Sequence, residues 1–253
     1  MAVAVYLAAT AGGGGAMAEV IVIGSSTSTL KAGTVLNDNA TIELPAGERV
    51  RVMLPSGRTQ EFKGPAAIKV GTLGQGENRN EGLWNDVSRL VVSQKTASES
   101  SVGAVRSVTP KGTSAGLPDG ATPRASGAGA PQFSWRRVPI DSDGDVCVEK
   151  RAPLEMLRAA PGRPMAVVVV NMESKKRAST EFAVGSATAA WPRGVGADVG
   201  RYTVVLPDGA KREIRLRPID PLPAADDTIR LLHSQRCLKQ MEAWLRGQLI
   251  AGR

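Results

Sequence analysis

The feature that most restricts how this chain can fold is a recurring Pro-x-Gly punctuation between short runs of alternating polarity. It occurs at Pro45-Ala-Gly47, Pro55-Ser-Gly57 and Pro207-Asp-Gly209. Proline presets φ for the first central position of a turn, and glycine supplies the positive φ that sends the chain back, so each triplet reads as a hairpin connection. The flanking runs have strand character. In residues 49–54, Val50, Val52 and Leu54 fall on one face and Arg49, Arg51 and Met53 on the other. Further strands are expected over 19–23, 41–44, 59–63 and 67–70, with Gly64-Pro65 as another turn. Short strands with such turns imply a compact antiparallel sheet or sandwich.

The same grammar returns later. Strands are expected over 134–140, 145–150, 154–158, 165–171, 178–184, 201–206 and 212–217. About seven short strands in this length point to an Ig-like sandwich. A proline-rich break at 218–223 ends the sheet, and a helix is expected over 226–250. Asp226 or Asp227 would cap it, and Leu231, Leu238, Met241, Leu245 and Leu249 recur at helical spacing, with Cys237 and Trp244 widening the stripe. Residues 96–132 are rich in Gly, Ser, Thr, Ala and Pro. Such a stretch buries too little apolar surface to offset its ordering entropy. The expectation is therefore a mainly β chain of two small antiparallel modules, 19–95 and 133–253. A flexible linker, 96–132, joins them and has room for an edge strand over 102–108, and one C-terminal amphipathic helix lies on the second module.

Residues 1–18 carry no charged side chain, and Ala16-Met17-Ala18 places small residues at the −3 and −1 positions of a cleavage site. This is the pattern of a secretory signal peptide, with mature protein beginning at Glu19. After it, no apolar run approaches the about 20 residues needed to span a bilayer; the longest aliphatic run is 166–170. In an oxidising compartment the two cysteines, Cys147 and Cys237, are expected to pair, which would also tether the helix. The localisation expected is periplasmic or secreted, in a bacterial envelope.

A net charge of +8 invites a nucleic-acid reading, but the basic residues are scattered and only nine aromatic side chains are available to stack bases. Catalytic groups are sparse. His233 is the sole histidine, so histidine-built metal sites are excluded, and it shares a helical face with Cys237, which the disulfide would occupy. Asp141, Asp143 and Asp145 resemble the opening of a calcium loop. Position six is Val146 instead of glycine, however, and position twelve is Ala152 instead of glutamate, so an acidic turn is the favoured reading. The glycines at 12–15 are followed by no Lys-Ser/Thr, and those at 71–76 lack a strand-to-helix setting. No enzyme, metal or cofactor is expected.

The segments Leu30-Lys-Ala-Gly33, Ile42-Glu-Leu-Pro-Ala-Gly47, Val50-Arg-Val-Met-Leu-Pro-Ser-Gly57 and Phe62-Lys-Gly-Pro65 together resemble the FecR-like periplasmic module, as does Val102-Gly-Ala-Val-Arg-Ser107. The resemblance spans residues 20–108. Sigma-regulating members of that family add a cytoplasmic segment and a membrane helix, and the residues quoted match neither. The resemblance implies an envelope domain used for protein contacts. A carbohydrate- or polymer-binding sandwich is the alternative, for which Trp84, Trp135 and Trp191 would have to be exposed.

Overall fold

The computed structural model describes residues 19–27, 29–101 and 133–251, with the backbone alone for 92–101 and 250–251. The signal-peptide reading of 1–18 and the possible edge strand over 102–108 lie outside the described residues.

In the first module, β1 (Val20–Ser25), β2 (Val35–Leu36), β3 (Thr41–Leu44), β4 (Arg49–Met53), β5 (Thr59–Lys63) and β6 (Ala66–Lys69) form two antiparallel sheets. One has the order β2-β1-β4-β5, and the other pairs β3 with β6. Val20, Val22, Val50 and Val52 point from the larger sheet onto Ile42, Leu44 and Ile68 of the smaller. Pro55-Ser-Gly57 is the hairpin expected, with the Gly57 amide donating to Leu54 O and φ +85° at Gly57. Pro45-Ala-Gly47 and Gly64-Pro65 are not hairpins: each carries the chain from one sheet to the other. These two corners are pressed together. A Cβ on Gly64 would sit 1.8 Å from Pro45 O, so only glycine fits.

After a single turn of 3₁₀ helix at Val70–Thr72 comes α1 (Glu81–Ser101), a helix not expected from the sequence. It occupies 96–101, the start of the expected linker. The Asn80 side chain caps it by accepting the Leu83 amide at 3.1 Å. Leu83, Trp84, Val87 and Val91 form its buried stripe.

The second module contains β7 (Arg137–Pro139), β8 (Gly144–Glu149), β9 (Glu155–Leu157), β10 (Met165–Asn171), β11 (Arg177–Phe182), β12 (Thr188–Ala190), β13 (Gly200–Val205) and β14 (Lys211–Ile219). A five-stranded sheet, β11-β10-β13-β14-β8, faces a three-stranded one, β12-β9-β7. Pairing is mixed, because β8 runs parallel to β14 and β7 parallel to β9, where antiparallel pairing was expected throughout. Val167, Val169, Phe182, Tyr202, Val204, Ile214 and Leu216 fill the core against Val138, Met156 and Trp191. Burial pushes the Tyr202 hydroxyl pKa up, so it stays protonated and donates to Asp198 O at 3.0 Å.

The expected helix over 226–250 is two helices, α2 (Thr228–Ser234) and α3 (Leu238–Ala251), preceded by a 3₁₀ turn at Ala225–Asp227. The break has a local cause. Arg236 adopts φ +60°, its amide donates to His233 O, and the Cys237 amide donates to Leu232 O. This pair of bonds is the Schellman end of α2, and the chain restarts as α3 in a new direction.

The two modules share a core. Ile21, Ile23 and Met53, on the face of the larger first-module sheet opposite to Val20 and Val22, pack with α1, α2, α3 and Cys147 of β8. Helix α3 touches both β1 and β8. The expectation that the last helix belongs to the second module is therefore corrected. The Cys147–Cys237 bridge does hold it against β8, with Sγ–Sγ 1.97 Å, but its other side seats on the first module. The helix pair is covered from both modules because Ile229, Leu232, Met241, Trp244, Leu245 and Leu249 all enter this shared core.

Candidate functional site

The edge of β8 is closed by the helical layer. Gln240, 3 % exposed, accepts the Cys147 amide at 2.7 Å and donates to Cys147 O at 2.8 Å. Its side-chain amide stands in for a missing neighbour strand and protects the sheet edge. Beyond β8, the same outward face of the five-stranded sheet carries exposed residues, Ala166, Val168 and Arg201 among them, and no described helix packs on it.

The open face is built by strand alternation. Val167, Val169, Tyr202, Val204 and Ile214 point inward, so their neighbours must point outward. On β10 those neighbours are Ala166, Val168 and Val170, and Val168 is 36 % exposed. Val205 of β13 stands opposite Val168, and Thr203 opposite Val170. The result is a short aliphatic strip in the middle of a water-facing sheet.

Next to the strip lies a basic row. The β13–β14 register places Arg201 directly opposite Arg215. Like charges directly opposed on neighbouring strands are destabilising. Asp145 of β8 continues the row beside Arg215, but its carboxylate is nearer Arg217, at 3.0 Å against 3.8 Å from Arg215. Arg201 forms no ion pair among the described residues. Lys175 at the β10–β11 turn and Met172, whose sulfur accepts the Thr203 hydroxyl at 3.2 Å, complete a depression of about 340 Å³ over these arginines. The arrangement can hold an anionic group beside an apolar one.

The residues singled out from sequence are dispersed. Asp141 accepts the Ala159 amide, Asp143 accepts the Glu213 amide at 2.6 Å, and Asp145 pairs with Arg217. The three carboxylates of the acidic turn thus serve three different partners. Among the described residues no group of three or more His, Cys, Asp or Glu side chains is placed to hold a metal. His233 reaches Asp86 of α1 at 3.3 Å, and Cys237 is engaged in the disulfide. Trp84 and Trp191 are buried, and half-buried Trp135 stacks edge-on against Phe133 with centroids 4.9 Å apart. The two exposed tryptophans on one face that a sugar platform requires are not there.

A second polar region lies where the first module meets α2. Glu77 accepts hydrogen bonds from Ser56 and from Arg58, which hold its carboxyl below the usual glutamate range. Arg230 pairs with Asp227 and Arg79 with Glu81. Each charge there has an opposite, so the cluster is a closed ionic network.

Sequence reasoning missed the opposed arginines. The signal was available: once Pro207-Asp-Gly209 is taken as the turn, Val205 faces Lys211, and counting back four residues sets Arg201 against Arg215. No family model matches the sequence, and no curated protein or solved structure matches it either. Among the described residues no helix is long and apolar enough to cross a membrane.

Proposed function

We propose that this chain is an exported, non-catalytic interaction module of the bacterial envelope, which binds a partner protein through the outward face of its five-stranded sheet. The observation that carries the reading is that face. It sets an aliphatic strip, exposed Val168 with half-buried Val170 and Val205, beside the directly opposed Arg201 and Arg215, a pairing of apolar and cationic surface that a protein partner can match. The Cys147–Cys237 bond supports an oxidising compartment, since cytosolic thiols are kept reduced. The FecR-like pattern of residues 20–108 supports a role in protein contacts. Burial of Trp84 and Trp191 counts against the polymer-binding alternative.

Cell fractionation with thiol trapping tests the localisation. The protein is expected outside the cytoplasm, beginning at Glu19 and resistant to alkylation until reduced. Recovery only from the cytosol, with Met1 retained and both thiols free, contradicts the proposal.

A further inference from the structure

From the chemistry of the open sheet face, we infer that it docks an extended acidic segment of a partner protein, with aliphatic side chains seated on Val168, Val170 and Val205 and carboxylates reaching Arg201 and Arg215. This rests on the interaction-module reading and specifies its partner.

The occupant follows from charge and shape. A strand alternates its side chains with a period of two residues, and so do the strands beneath it. On β10 the outward residues Val168 and Val170 are apolar, and on β13 the outward series runs Val205, Thr203, Arg201. A ligand crossing the sheet therefore meets an apolar zone and then a cationic one within a few residues. Among the described residues Arg201 lacks an ion pair, and Arg215 has only the long contact to Asp145. The neighbouring carboxylates do not offset this fully: Asp145 is drawn to Arg217, Asp143 is bound to the Glu213 amide, Glu213 stands one row over, opposite Thr203, and Glu173, which lies against Gly200 and lines a hollow with both arginines, ion-pairs with neither among the described residues. Arginine's planar fork matches a carboxylate bidentately, and two adjacent forks select a ligand with more than one acid group.

Other ligands fit less well. Single-stranded nucleic acid and sugars call for aromatic platforms, and the outward positions of β10, β13 and β14 carry none. A small inorganic anion would leave the aliphatic strip wet. A membrane surface would favour lysines ringing a wider apolar patch. An acidic, aliphatic protein segment uses both zones.

The probe is a soluble peptide of alternating Glu and Val, titrated into the isotope-labelled full chain and followed by NMR. Its comparators are a Glu-Ser peptide, a Lys-Val peptide, a sulfated polysaccharide and phosphatidylglycerol vesicles. The Glu-Val peptide should give saturable shifts at Val168, Val170, Arg201, Thr203 and Arg215. Arg201→Glu and Arg215→Glu should each weaken binding about tenfold or more, the equivalent of one lost interfacial charge pair. Val168→Asp should abolish it, while Lys63→Glu, on the first module, should leave it unchanged. All these positions are at the surface, so unaltered thermal melts will show that the variants fold. The inference is overturned if the Glu-Val peptide gives no saturable shifts on this face. It is also overturned if the Glu-Ser or Lys-Val peptide binds as well, or if the polysaccharide or vesicles occupy the face and the Glu-Val peptide does not. Such failures are separable from failure of the general reading, because export is decided by fractionation and partner binding on this face by cross-linking from Val168 in cells.

Discussion

Two strands of this molecule have nearly the same sequence character and opposite fates. The β1 run Val20-Ile21-Val22-Ile23 and the β10 run Ala166-Val167-Val168-Val169-Val170 are both unbroken aliphatic stretches, the pattern of a strand covered on both faces. In β1 all four side chains are fully buried. The first module's small sheet covers Val20 and Val22, and helices from the far end of the chain cover Ile21 and Ile23. In β10, Val167 and Val169 are buried, while Ala166 and Val168 face water. What separates them is the supply of a second layer. Among the described residues, the three α-helices pack on β1 and on the β8 edge, and none of them packs on the middle of the five-stranded sheet. That difference in cover is the ground on which the docking face is proposed.

The contrast is sharpest in paired substitutions. Ile23→Ala should cost about 2–5 kcal/mol, because a fully buried side chain leaves a cavity between sheet and helices. Val168→Ala should cost less than about 0.5 kcal/mol, as expected for an exposed position. Denaturant melts of the two variants measure both values, and equal losses would remove the distinction on which the docking face rests.

Removing the bridge tests how the second layer of β1 is held. Its ends lie 90 residues apart in sequence. Cys147→Ser with Cys237→Ser should lower stability by about 2–5 kcal/mol. Because the helices carry core residues of both modules, the loss should appear in one cooperative transition. Two separate calorimetric transitions in the unmutated protein would mean that the modules do not share a core.

Much of this architecture is legible in the residues, and the gaps have physical reasons. The Pro55-Ser-Gly57 and Pro207-Asp-Gly209 hairpins are local, so turn chemistry reveals them. Pro45-Ala-Gly47 uses the same chemistry to turn a corner between sheets, and nothing local tells those outcomes apart. Helix α1 is legible in the residues, since Leu83, Trp84, Val87, Leu90 and Val91 keep helical spacing behind the Asn80 cap, but no element was expected there. The split of the last helix depends on Arg236 accepting a left-handed conformation, which arginine does not advertise. Of the site, the disulfide was readable because only two cysteines exist. The aliphatic run of β10 was visible as well. That one of its faces stays bare depends on where distant helices settle, and no local pattern encodes that.

Smaller effects refine the picture. Gln240→Ala leaves the Cys147 amide and carbonyl without partners in a buried setting, which should cost about 1–3 kcal/mol and speed hydrogen exchange along β8. Unchanged exchange there would show that the β8 edge does not need the helix to close it. Arg236→Gly should stabilise the protein by about 1 kcal/mol, since glycine adopts the positive φ without strain. A lower melting temperature for that variant would mean that the arginine side chain contributes more than its backbone costs.

If the outward face of β10 is a docking surface, another protein covers it in the cell, and site-specific photo-cross-linking reads that contact directly. A photoreactive residue at Val168, compared with one at exposed Lys63 on the first module, reports what touches each surface in living cells. The account predicts one discrete protein adduct from Val168, lost when Arg201→Glu is added, and none from Lys63. Absence of an adduct at Val168, or the same adducts from both positions, would contradict it.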